Sequence, residues 1–212
     1  MIRRVHGLAL VAALCSLPGT ASQAQPPTPL ATFTRRLEQL GSGTRSLAAD
    51  FTQRKQLRLF RSEVTSHGRL RYQRPDRLRW ETLPPDASVL VVEGTRAQLR
   101  LPGEKPRLMD LKRDRAMATL IEQLLVWLGA RPASRLAEWY RLRLEPVEKG
   151  EQVLHLEPRL ESVRKRIQSV AVRFDAQMQL RQIRIQHVGG DRTSIALDNV
   201  QRNVKLSPSL FH

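Results

Sequence analysis

The sequence predicts an α+β fold built on one large antiparallel sheet, curved and partly closed on itself as an incomplete β-barrel, with helices covering one side or mouth. Three observations predict it. Short segments in which apolar and polar residues alternate recur from Ser46 onward, the period-two pattern of half-buried strands. Clusters such as "PPD", "EGT", "PGEKP" and "VGGDR" separate them as turns. Two stretches, one before Gly41 and one before Gly129, switch to helical spacing. Ten or more strands are too many for a small sandwich, so the sheet must curve, and its concave face is either a filled core or an apolar pocket.

Residues 1–24 read as a cleaved signal peptide. Arg3 and Arg4 start it, Gly7 to Leu17 is apolar, and "TASQA" supplies the small residues a signal peptidase needs. The apolar run is about half the ~20 residues of a membrane span, so an exported, periplasmic protein is expected. Cys15, the single cysteine, lies in this leader after Leu14, where lipid attachment needs a small residue. The remaining chain can form neither a disulfide nor a thiolate metal site. "QPPTP" (25–29) reads as an extended linker and residues 30–212 as one domain.

Leu30, Phe33, Leu37 and Leu40 recur at helical spacing until Gly41 and Gly43 stop the pattern. Leu47, Ala49 and Phe51 then alternate with polar neighbours, and "LRLF" (57–60) continues the theme. Strands are expected at 64–72, 78–82, 88–92, 97–101 and 107–111. Next, Met117, Leu120, Ile121, Leu124, Leu125 and Leu128 form one apolar stripe on a helix that Asp114 caps and Gly129 with Pro132 ends. A short helix over 133–139 follows, and strands resume at 140–144, 152–157, 167–174, 180–187 and 193–197.

The chain carries a formal charge of +16, and removing Arg3 and Arg4 with the leader leaves +14. Such a field attracts nucleic acid, anionic head groups or acidic proteins; for an exported chain nucleic acid is not an expected partner. His67, His155, His187 and His212 form no metal-like pair, and there is no Gly-x-Ser-x-Gly elbow, phosphate loop or cysteine nucleophile. Asp50, Glu63, Asp76 and Glu81 sit beside basic residues and read as solvated surface pairs. No catalytic residue, metal or cofactor is expected.

In "RYQRPDRLRWE" (71–81) the charges fall on one face of each strand and the apolar groups on the other, so Arg69, Arg71, Arg77 and Arg79 are expected to face water. Arg74 falls outside this alternation, held extended before Pro75 at the break between two strands.

"SLAADFTQ" (46–53), "GRLRYQRPDRLRWE" (68–81) and "DASVLVVEGTRAQLRLPG" (86–103), in this order and spacing, resemble the outer-membrane lipoprotein carrier family, the LolA-like proteins. The resemblance implies an incomplete antiparallel barrel whose open side is covered by a helical lid over an apolar cavity for acyl chains. It implies a non-enzymatic, monomeric carrier that takes acylated lipoprotein from an inner-membrane release complex and passes it to an outer-membrane receptor. It also implies that Arg74, matching the family's Arg-Pro arginine, latches the lid through hydrogen bonds. Phe51, Leu70, Tyr72, Leu78, Trp80, Leu90, Met117, Leu120, Ile121, Leu124, Leu125 and Leu128 are then the expected cavity residues. Alternatives are a divergent paralogue carrying another acylated lipid or glycolipid, an enzyme acting on an envelope lipid, or a docking domain with a filled interior that binds an anionic surface.

Overall fold

The computed structural model describes residues 28–59 and 62–212; the expected leader lies outside them. The first helix, α1 (Pro29–Ser42), starts where Thr28 Oγ1 accepts from the Ala31 N–H at 3.2 Å and Pro29 takes the first helical position. The end of the expected linker is therefore the start of the helix. Phe33 and Leu37 are buried on its inner side.

Eleven strands follow, paired antiparallel in one sheet. They are β1 (Ser46–Leu57), β2 (Ser62–Gln73), β3 (Arg77–Thr82), β4 (Ser88–Glu93), β5 (Arg96–Arg100) and β6 (Arg107–Asp110), then β7 (Tyr140–Pro146), β8 (Gln152–Pro158), β9 (Ile167–Phe174), β10 (Leu180–His187) and β11 (Arg192–Arg202). Their order is β6-β5-β4-β3-β2-β1-β11-β10-β9-β8-β7, so the first and last strands of the two halves meet at the centre and the edges are β6 and β7. β1 ends at Leu57, which makes Arg58 and Leu59 turn residues rather than a continuation of the strand.

The chain crosses from one edge to the other through α2 (Arg115–Trp127), a 3-10 turn (Ala133–Arg135) and α3 (Leu136–Trp139). Asp114 Oδ1 caps α2 by accepting from the Met117 N–H at 2.9 Å. A sheet that does not close leaves its apolar face open, and this crossover together with α1 covers it. A further single-turn helix, α4 (Glu161–Arg164), lies between β8 and β9.

Strand register carries the apolar pattern across the sheet. Leu47, Tyr72, Leu78, Val92, Ala97 and Met109 are successive cross-strand partners, as are Ala49, Leu70, Trp80, Leu90 and Leu99. On the other half Leu144, Leu154 and Val172 align, with Ile183 next to them. Phe33 joins α1 to this half, its ring edge-on to Phe174 at 5.2 Å.

The outer face is less uniformly solvated than alternation predicts. Arg71 is half-buried and donates to the Ala49 and Leu70 carbonyls at 2.8 and 2.9 Å. A C-terminal 3-10 turn (Pro208–Phe211) lies over β3 and β4, burying Phe211 and Val91, and its Leu210 carbonyl accepts from Arg79 at 3.3 Å. Arg77 pairs with Glu93 at 2.8 Å and Arg69 remains exposed.

Phe51 stacks on Trp80 with ring centroids 4.2 Å apart, across Gly68 on the intervening strand. A Cβ at Gly68 would overlap the Phe51 ring and the Glu81 carbonyl oxygen. Gly68→Ala is accordingly expected to lower stability by about 1–3 kcal/mol, read as an earlier urea midpoint with the circular-dichroism spectrum of the folded state unchanged.

Candidate functional site

The β2–β3 turn, the end of α1 and the turn after α2 meet at one seam. The last carbonyls of a helix have no partners within it and sit at the negative end of its dipole. Arg74 fills that role for α1, donating from its guanidinium to the Gly41 carbonyl at 2.6 Å and the Thr44 carbonyl at 3.0 Å, while its backbone N–H donates to the Arg45 carbonyl at 2.8 Å. One residue on, the Pro75 carbonyl accepts from Arg131 at 2.9 Å and from the Tyr72 hydroxyl at 3.3 Å. Arg131 follows α2, and Glu122 within α2 forms ion pairs with Arg131 at 3.8 Å and Arg135 at 2.9 Å. A single turn of the sheet thus holds both covering segments.

The two segments also touch each other. A Cβ on Gly41 would overlap the Gly129 carbonyl oxygen, so the end of α1 and the end of the second covering segment approach as only glycine allows. Behind them Thr44, fully buried, accepts from Arg202 at 2.9 Å and donates to the Leu40 carbonyl at 2.8 Å. Asn203 brackets the same loop, accepting from the Arg45 N–H at 2.8 Å and donating to the Gly43 carbonyl at 3.1 Å. On the outside, the seam between Glu38, Arg74, Arg131 and Ser134 opens as a cleft of about 400 Å³.

The expectation from sequence named Arg74 as the latch of a helical lid without saying which helix it reaches. Arg74 reaches α1 and the loop after it, and Arg131 supplies the tie to the α2 segment. Thr44, Arg131, Arg202 and Asn203 were not singled out from sequence; their roles depend on contacts with distant residues, which periodicity does not carry.

Beneath the seam, Phe51, Leu70, Tyr72, Leu78, Ile121, Leu125 and Leu128 belong to one buried apolar cluster, with Trp80, Leu90, Met117 and Leu124 partly buried against it. Leu120 does not join them: it is 52% exposed. It lies at the margin of the stripe, about 100° around the helix from Ile121, where the first half of α2 sits at the rim. Deeper in, Val126 and Trp127, outside the stripe, are buried as well. Eleven of the twelve expected cavity residues thus lie in or against one packed apolar cluster.

That interior holds polar atoms a static core avoids. Trp127 Nε1 is buried without a hydrogen bond among the described residues, and the buried Tyr140 hydroxyl faces the Gln123 side chain. Burial pushes the Tyr140 phenol up to about 12, against a smaller downward pull from the neighbouring Gln123 side chain. Burial also raises Tyr72, opposed by the positive charges of Arg74 and Arg131. Among the described residues no group of His, Cys, Asp and Glu is arranged to hold a metal ion, and no helix is long and apolar enough to cross a membrane.

A curved, unclosed eleven-stranded sheet with helices is consistent with the open barrel of a known family. A family model described as outer membrane lipoprotein carrier protein LolA matches residues 42–212, and the chain belongs to that family. Among solved structures it is similar to a LolA superfamily protein from Nitrosomonas europaea, at 11% identity over 85% of this chain and 96% of the other, with a TM-score of 0.44. It is similar to a putative outer membrane lipoprotein-sorting protein domain from Vibrio parahaemolyticus, at 12% identity over 85% and 95%, with a TM-score of 0.44. It also resembles a chain of the Pseudomonas aeruginosa MucA/MucB complex, at 16% identity and a TM-score of 0.47, covering 86% of this chain but 61% of that one. A search of the curated proteins gave no match.

Tyr140 yields a test of the interior. A phenol whose folded pKa lies above its unfolded value contributes stability that is complete below pH ~10 and is lost as pH rises toward about 12. Urea midpoints should therefore hold to pH ~10 and fall above it, less steeply in Tyr140→Phe. At pH 7 this variant should lie within about 1 kcal/mol of the parent, because the hydroxyl it removes is buried against the Gln123 side chain, and burial cost and hydrogen bond nearly offset.

Proposed function

We propose that this protein is a periplasmic, non-enzymatic carrier that shields the acyl chains of lipoproteins in transit from the inner to the outer membrane. The observation that carries the reading is the union of one continuous apolar interior with a cover fastened at a single hydrogen-bonded seam. The sheet's inner face and the helices bury each other when empty, and the same surfaces suit acyl chains when the helices move out. On this reading Arg74 is the latch and the buried cluster, without Leu120, is the cargo site. An inner-membrane release complex loads the carrier and an outer-membrane receptor unloads it.

The energetics fit reversible carriage. Sequestering a methylene contributes roughly 0.8 kcal/mol, so a palmitoyl chain offers on the order of 10 kcal/mol. Against this stand the lost packing between helix and sheet and a charge-assisted latch of about 1.5–3 kcal/mol. Cargo can open the cover, and the cover recloses when cargo leaves.

Native mass spectrometry of protein purified from the periplasm is expected to detect bound acylated lipoprotein or lipid. Arg74→Leu weakens the closed state, so it should retain more lipid and bind a dansyl-labelled fatty acid roughly tenfold or more tightly. A bare protein mass for both forms, with no uptake of the labelled fatty acid, would sink the reading.

A further inference from the structure

At the end of the barrel away from the latch, three loops are tied together. Arg58, in the β1–β2 turn, donates its backbone N–H to Asp191 Oδ1 in the β10–β11 turn at 2.9 Å, and its side chain lies against Gly190. Val188, in that second turn, donates to the Arg166 carbonyl in the α4–β9 connection at 3.1 Å. β1 runs from the latch to this cap, and its 12 residues span on the order of 35–40 Å. Whatever engages the cap leaves the latch free to move.

Two of these loops present an aliphatic side chain to solvent, Leu59 (91% exposed) and Val188 (56%), and Leu160 (42%), at the start of α4, presents a third. Half of the large hydrophobic residues exposed on the described surface thus gather on this cap, and none of the three belongs to the interior cluster. Around them Arg58, Arg159, Arg164, Lys165, Arg166 and Arg192 are exposed, against Glu161 and the half-buried Asp191. Among the described residues Arg58, Arg159, Lys165 and Arg166 form no ion pair, so their charge is not neutralised within the protein. A cleft of about 720 Å³ is lined by Arg141, Arg159, Arg164 and Val188 together with Glu157; Arg141 pairs with Glu157 at 3.9 Å and Arg164 with Glu161 at 3.8 Å, which leaves Arg159 as its unpaired cation.

We propose that this loop cap docks on an anionic phospholipid bilayer, with Leu59, Leu160 and Val188 entering the head-group boundary and the surrounding arginines and Lys165 engaging lipid phosphates. Aliphatic side chains exposed on neighbouring loops, with the unpaired cations Arg58, Arg159, Lys165 and Arg166 around them, match an interface that is apolar below and negative at its surface. The surface is distinct from the interior cargo site, and its action does not depend on acyl carriage.

The test is cosedimentation of protein purified from the periplasm with phosphatidylcholine vesicles, with or without about one-third phosphatidylglycerol. Binding is expected to the anionic vesicles, to be weak to the neutral ones and to fall with added salt. Leu59→Ser with Val188→Ser should reduce partitioning about fivefold or more, and Arg159→Glu with Arg166→Glu should abolish it. All four positions are exposed, so thermal melting should not change. Uptake of the labelled fatty acid should also stay at the parent level, which separates this result from the carrier reading. No binding to phosphatidylglycerol vesicles, or undiminished binding by the serine variant, overturns the proposal; the former would leave the cap to an acidic protein.

Discussion

The guanidinium of Arg74 satisfies the carbonyls at the end of α1 from a turn of the sheet that would otherwise have no link to the helix. The rest of the architecture depends on this junction. An eleven-stranded sheet that fails to close exposes its apolar face along an open side, and helices laid over it need a fixed point. Arg74 ties down α1, and the neighbouring Pro75 carbonyl receives Arg131 from the segment after α2. The glycine contact at Gly41 and Gly129 lets the two meet without a gap. Two covering elements that arrive from distant parts of the chain are held by two consecutive residues.

A cover held mainly at one seam can be firm and still removable. Its inner surface is ordinary apolar packing, which is indifferent to whether the partner is a leucine or an acyl methylene. Its polar content is less ordinary: Trp127 Nε1 lies unpaired inside, at a cost of about 1–3 kcal/mol. A packed interior is compatible with the proposed cargo site, provided that the residues that fill it are displaced together.

Much of this was legible in sequence. Period-two alternation located every strand of the sheet, since one face of each strand is buried and a shift of one residue would turn that face to water. The helical stripe located α2, but not Leu120, whose place at the margin of the stripe is decided by where the rim of the sheet ends. Arg74 stood out because it broke the alternation beside a proline; that it reaches α1 depends on how the chain folds back over more than thirty residues. The C-terminal turn over β3 and β4 left almost no local signal beyond Phe211, and Arg79 was consequently assigned to solvent. Residues acting through long-range polar contacts, such as Thr44 and Asn203, were the least legible, because hydrogen bonds to distant carbonyls impose no repeating pattern.

The central claim is that the buried cluster is exchangeable for acyl chain. Isotope-filtered NMR of methyl-labelled protein with a palmitoylated peptide measures this directly. The account predicts intermolecular contacts from the acyl methylenes to Leu70, Leu78, Leu125 and Leu128, with loss of the amide protection that the seam gives to Gly41–Thr44. Contacts confined to exposed residues such as Leu59 and Leu120, with the interior methyl resonances unmoved, would contradict it.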